Sequence, residues 1–274
     1  MKGVLGRLLA FAILLMGIAP ASAQAPQRVV TVNLCLDQLA LRLAAPGQLV
    51  GISYLSLDPG ISVLVERARA IAPVRANIES ILELRPDLVI LDDAAHANLK
   101  RLLREAGVRI LEVPWAVSLE DAETLISRIA AALGRDAAGK ALIADMREQR
   151  RRLAWQGPPT GMAAVLQANR GTAGKGSLMD ELLRLAGFRN LAAELGIAAY
   201  GRLPLEAVLA GWPDVLVLDG GANANPARAT EFVEHRALHS LAGRARFVSL
   251  PTKYSICAGP ENFEAMRLLA EARR

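Results

Sequence analysis

One stretch of this chain occurs twice. Glu79 to Asp93 reads ESILELRPDLVILDD and Glu206 to Gly220 reads EAVLAGWPDVLVLDG. Aligned without a gap, Glu79 meets Glu206, Pro86 meets Pro213, Asp87 meets Asp214 and Asp92 meets Asp219. Each copy predicts a short helix opened by an acidic residue, a Pro-Asp turn, and then a run of buried-strand residues. A chain that repeats such a unit is constrained to build two similar lobes.

Two further echoes keep the same order. LDQLALRLA from Leu36 resembles MDELLRLAG from Met179, and GVRILEVP ending at Pro114 resembles GRARFVSLP ending at Pro251. Around these segments the apolar runs alternate with helical periodicity. Strands are expected near 28–33, 48–52, 88–91, 108–113, 162–167, 215–218 and 246–250. Helices are expected near 36–43, 95–105, 177–185, 204–209 and 261–272. Alternation of this kind predicts βαβ units and a largely parallel sheet in each lobe. Asn77 has the side chain to cap the helix carrying Glu79.

From Ser118 the pattern changes. Ser118 with Asp121 resembles a capping box, and helix formers run to Trp155, with breaks expected at Gly134 and Gly139. The second half, from Ala138 to Ala154, would be about 25 Å long at the α-helical rise, enough to cross between lobes. Gly157 to Gly161 (GPPTG) marks the next boundary. The organisation expected is an α/β fold of two Rossmann-like lobes joined by a single long helix, with a ligand cleft between them. Its parts are a signal peptide over 1–23, an N-terminal lobe over 24–117, a helical linker over 118–156 and a C-terminal lobe over 157–274.

The signal peptide follows from a positive start (Lys2, Arg7), an apolar run from Leu8 to Ile18 too short to span a bilayer, and Ala21-Ser22-Ala23 as the cleavage site. No cysteine stands at that site, so a lipid anchor is not expected. The net charge of +5 falls to about +3 on removal of Lys2 and Arg7. The remaining arginines are scattered without interleaved aromatics, which argues against nucleic acid.

The ordered set RVVTVNLCLDQLALRLAAPGQLVGIS, NIESILELRPDLVI and GKGSLMDELLRLAGFRNLA resembles the periplasmic binding proteins of ABC importers for ferric siderophores, haem and cobalamin. The resemblance implies two lobes facing across a shallow cleft, a small-molecule metal chelate as ligand, and a periplasmic monomer. It also implies that Glu79 and Glu206 dock into arginine-lined pockets on the two subunits of an inner-membrane ABC permease dimer. Of the chelates, a ferric siderophore is the first expectation, cobalamin the second and haem the third.

Ligand contacts are expected from loops at strand ends. Tyr54, Trp115, Tyr200 and Tyr254 supply aromatic walls, and Arg170 and Arg202, with Arg75 nearby, supply forks for anionic oxygens. Cys35 and Cys257 follow the first strand of one lobe and the last of the other. They are free thiols touching ligand, buried fillers, or a bond across the cleft.

Other chemistry finds less support. Gly171 to Ser177 (GTAGKGS) breaks the phosphate-loop spacing and leaves only a helix N-terminus rich in amides. His235 and His239 share a helical spacing, with His96 in the other lobe, but no metal site is expected of them. Asp92, Asp93 and Asp219 sit at strand ends, and their repetition points to loop architecture. With no G-x-S-x-G elbow or H-E-x-x-H, an enzyme and a resident cofactor are not expected; a periplasmic hydrolase is the alternative class.

Overall fold

The computed structural model describes residues 24–219 and 243–273. The stretch read as a signal peptide, and His235 and His239, lie outside them.

The first sheet holds five parallel strands in the order β3-β2-β1-β4-β5. They are β1 (Val29–Thr31), β2 (Leu49–Ser53), β3 (Ala72–Val74), β4 (Leu88–Asp92) and β5 (Arg109–Val113). Helices α1 (Leu34–Leu43), α2 (Val65–Ala68), α3 (Ile78–Glu83) and α4 (Ala97–Glu105) connect them. After helices α5 (Leu119–Leu133) and α6 (Asp136–Leu153) comes the second sheet. Its strands β6 (Gly161–Leu166), β8 (Phe188–Asn190), β10 (Val215–Asp219) and β11 (Arg246–Leu250) are parallel, in the order β11-β10-β6-β8. An antiparallel ribbon of β7 (Gly171–Ala173) and β9 (Tyr200–Arg202) stands beside it. Helices α7 (Leu178–Leu185), α8 (Leu191–Glu194), α9 (Leu205–Gly211) and α10 (Asn262–Glu271) complete the described elements.

The duplication holds in three dimensions. Strands β2-β1-β4-β5 and β8-β6-β10-β11 have the same order, and β3 is an extra edge in the first sheet. The Pro-Asp turn performs the same task twice. Asp87 accepts hydrogen bonds from the amides of Gln27 and Arg28 at the head of β1, and Asp214 accepts from Met162 in β6. Each carboxylate thereby pins the start of its strand to the neighbouring one. Even the unusual backbone repeats: Arg85 (φ 45°) and Trp212 (φ 44°) occupy equivalent positions in the left-handed region just before the turn.

Strand alternation distributes the core into three layers. Leu88 and Ile90 of β4 and Ala163 and Val165 of β6 point to a central layer shared with α1, α5, α6, α7 and α10. Val89 and Leu91 point the other way, against α3 and α4. Met162, Ala164 and Leu166 do the same against α8 and α9. The central layer runs without interruption from one lobe into the other.

Both expected caps form: Asn77 accepts from Ser80 at 2.9 Å and Ser118 from Asp121 at 3.0 Å. Gly134 ends α5 at φ 69°, as expected of a C-terminal glycine. Gly139, by contrast, does not break a helix. It lies inside α6 where a Cβ would come within 2.5 Å of the Ala130 methyl, so it is a close-packing residue between α5 and α6. The crossing between lobes is therefore shared. The 18-residue α6 packs on α5 and α10, while α5 packs on α1. No helix among the described residues is long and apolar enough to cross a membrane.

Candidate functional site

A cavity of about 760 Å³ opens at the carboxyl ends of the strands, between the lobes. Open parallel sheets present loops and helix starts at that edge, which is where ligands bind in such folds. The first lobe lines it with Val32 to Leu36 after β1, Ser53 to Leu55 after β2, Asp92 and His96 after β4, and Pro114 to Val117 after β5. The second lobe adds Gln167, Leu178, Tyr200, Thr252, Ser255, Ile256 and Ala258.

Three of the four expected aromatics meet there. Tyr54, Trp115 and Tyr200 line the cavity and are 48%, 66% and 67% exposed. Tyr54 rides a 3-10 turn over Tyr54–Leu57, and Arg75 stacks over its ring at 5.0 Å. Tyr254 is placed differently. Its short 3-10 turn lays the ring against the central core, and its carbonyl accepts from Asn262, so the cavity lining does not include it. Arg170 and Arg202 lie outside the lining as well. In the β7–β9 ribbon Arg202 pairs with Gly171 at one end and Tyr200 with Ala173 at the other. The ribbon thus carries Tyr200 to the cleft while Arg170 and Arg202 stay exposed outside its lining.

The helix N-terminus after GTAGKGS is not open to an anion. Asp180 accepts from Gly176, and Ser177 accepts from Asp180, so a carboxylate already occupies the position. Asp92 lines the cavity but is buried, and its side chain accepts from Ala95 at 2.7 Å, which closes the β4–α4 loop. Asp93 is exposed outside the lining, with Lys100 donating to its carbonyl. Asp219 ends β10 at the position matching Asp92. Glu79 and Glu206 do not belong to the cavity lining, and each is exposed in the first turn of its helix. Among the described residues no cluster of three or more metal-ligating side chains forms.

Several lining residues lie outside those expected from the sequence. Leu55, Val117 and Ile256 are exposed apolar side chains around the cavity, and Asn33 and Gln167 are its half-buried amides. Asn33 and Gln167 each follow the first strand of a lobe, so the repeat itself could have flagged them.

The cysteines resolve to a bond. Cys35, second residue of α1, and Cys257 form a disulfide with Cα atoms 5.2 Å apart, joining residues 222 positions apart in the chain. Beside it runs a second cross-lobe link. Arg42 on α1 holds Glu261, at the start of α10, at 3.0 Å. Gln38 donates to the other Glu261 oxygen, and Arg42 also donates to the Gln38 carbonyl. The Glu261 side chain is 1% exposed. Burial raises its pKa and lowers that of Arg42, while the opposite charge of each partner pulls back. Across the cleft, Glu181 of α7 accepts from the Leu119 amide that opens α5.

Behind the cleft wall sits Asp37, fully buried on α1. It accepts from the Thr31 hydroxyl, from the Ser53 amide at 3.0 Å and from the Ser56 hydroxyl at 2.6 Å. Burial pushes its pKa from 3.8 up to about 7 against the pull of these three donors. A carboxyl raised on folding binds more protons in the native state. Its stabilising contribution is present below the unfolded pKa and is lost as pH rises through about 7. The thermal midpoint of the wild type should therefore decline more than that of Asp37→Asn between about pH 5 and pH 8. Parallel midpoints would refute the raised pKa.

The periplasmic binding protein family matches residues 29–248. A cobalamin-binding protein of Halobacterium salinarum is 27% identical over 217 residues, covering 76% of this chain. The chain spans 58% of that relative's length. Among solved structures, the apo periplasmic heme-binding protein RhuT from Roseiflexus sp. RS-1 superposes with a TM-score of 0.71 at 25% identity. That match covers 90% of this chain and 99% of the other. A periplasmic heme-binding protein from Pseudomonas aeruginosa has the same fold, with a TM-score of 0.69 at 23% identity over 90% and 92% of the two chains. The duplicated sheets and the cleft they frame thus have their counterpart in a known architecture, and the chain belongs to the periplasmic binding protein family.

Proposed function

We propose that this chain is the solute-capturing component of an ABC import system, and that it binds a corrinoid of the cobalamin class between its lobes. The observation that carries this reading is the character of the cleft wall. Tyr54, Trp115 and Tyr200 offer large aromatic faces, and Asn33, Gln167, Ser53, Thr252 and Ser255 offer neutral hydrogen-bonding groups. Among the described residues the lining itself holds no lysine or arginine, and the guanidinium of Arg75 is stacked on the Tyr54 ring. A broad ring with uncharged amide arms matches such a wall; a ferric siderophore with anionic oxygens calls for cationic forks. The siderophore, first in order from sequence alone, thereby falls behind. Haem is the second reading, favoured by the phenols of Tyr54 and Tyr200 and the imidazole of His96, groups able to ligate iron. The cobalamin-binding relative adds support to the first.

A fluorescence titration separates these ligands. Cyanocobalamin should quench Trp115 emission saturably; Tyr54→Ala should weaken binding by about tenfold in this titration, and Trp115→Ala by about tenfold in calorimetry, the loss of one aromatic contact of about 1.4 kcal/mol. Saturable binding of a ferric siderophore with none of cyanocobalamin would reverse the assignment.

The proposal extends to location and partner. Residues 1–23 direct export, 24–117 and 157–274 form the lobes, and 118–156 connects them. The Cys35–Cys257 bond suits an oxidising compartment such as the periplasm. Glu79 and Glu206 serve as handles for a permease dimer. Both are exposed at equivalent points of the repeat, and a two-fold symmetric partner presents two matching sites. The variant Glu79→Ala, Glu206→Ala should retain ligand affinity and lose uptake in cells. Uptake at the wild-type rate would reject the docking assignment.

A further inference from the structure

We propose that Asp37 is a positioning residue for the ligand cleft: its buried carboxyl suspends the turn that presents Tyr54 and Leu55. This inference rests on the reading of the cleft as the ligand site.

The geometry is specific. Ser53, the last residue of β2, and Ser56, fully buried inside the 3-10 turn, both donate to the same Asp37 oxygen. The two residues between these anchors are Tyr54 and Leu55, both exposed towards the cavity. The turn is thus held at its two ends from within, and its outer side faces the ligand. The other Asp37 oxygen takes the Thr31 hydroxyl at the end of β1, next to the cleft residues Val32 and Asn33. The same α1 helix lines the cleft with its opening residues Leu34 to Leu36. The turn's two anchors therefore share one carboxylate oxygen, and the Thr31 contact, which does not touch the turn, falls on the other.

No charged group competes for it, since its three partners are neutral. Arg42, on the same helix, is engaged by Glu261. Asp58 beyond the turn and Glu66 on α2 are exposed, and exposed Arg67 reaches the Leu41 carbonyl. An asparagine reproduces the protonated acid here. Its oxygen can accept from Ser53 and Ser56 while its amide donates to the Thr31 hydroxyl. Alanine leaves all three donors without an acceptor.

The test compares cyanocobalamin affinity across variants. Asp37→Asn should bind within about twofold of wild type, while Asp37→Ala should bind about tenfold or more weakly. Wild-type affinity in Asp37→Ala overturns the assignment, as does an equal loss in both variants. Should Asp37→Ala fail to fold, Ser56→Ala and Thr31→Ala decide. Ser56→Ala, which frees the turn, should weaken binding by about threefold or more, and Thr31→Ala should not. Equal effects, or none, overturn it. Tyr54→Ala and Trp115→Ala keep the two failures apart. If both bind as wild type, the cleft reading falls; if they lose affinity while the Asp37 and Ser56 variants do not, only the positioning role falls.

Discussion

Replacing Cys35 and Cys257 together by serine should lower stability by about 2 to 5 kcal/mol, towards the upper end of that range. The bond closes a loop between residues 222 positions apart, and the entropy that such a closure removes from the unfolded chain grows with its length. For a chain of this size that loss corresponds to a thermal midpoint lower by about 10 °C. Scanning calorimetry of the oxidised protein beside the double variant reads the effect directly. An unchanged midpoint, or two free thiols titrated in the denatured wild type, would remove the bond from the account.

The second large effect belongs to Glu261. Truncation to alanine leaves the Arg42 guanidinium in a partly buried site with its anion gone, and removal of one partner of a buried pair costs about 3 to 5 kcal/mol. Two losses combine here: the ion pair at 3.0 Å and the Gln38 hydrogen bond to the same carboxylate. A control separates the pair's net value from the cost of orphaning one member. Arg42→Met with Glu261→Leu together should recover most of the stability, because apolar replacement of a whole buried pair is often neutral or favourable. Denaturant melts of the wild type and these two variants test this. A Glu261→Ala midpoint at the wild-type value would show that water reaches Arg42 and substitutes for the carboxylate.

Much of the fold could be read from the residues because it rests on local, repeated signals. The Pro-Asp turns and the strands β4 and β10 that follow them come from short-range chemistry stated twice, and the Asn77 and Ser118 caps from local chemistry stated once. Of the three-residue strands only β1 was expected. Strand β3 contains Pro73, and β7, β8 and β9 are too short for alternation to register. Gly139 was misjudged because a glycine that breaks a helix and one that lets two helices touch look identical in one dimension. At the site, Tyr54, Trp115 and Tyr200 line the cavity while Tyr254, Arg170 and Arg202 lie outside its lining, since being near a strand end does not determine which way a side chain turns. Asp37, Gln38 and Glu261 were invisible because their partners lie on other elements. For Glu261 those partners, Gln38 and Arg42, are more than two hundred residues away.

The shared central layer bears on how such a protein could have arisen and how it unfolds. Two copies of an ancestral unit would each have carried an apolar face that, in this molecule, meets the other copy across α1, α5, α6, α7 and α10. Severed at the linker, either half would present that face to water and associate with whatever covered it. The halves have become interdependent. The whole chain should melt as a single cooperative unit, with amides of β4 and β10 exchanging at one common rate under conditions where global opening governs exchange.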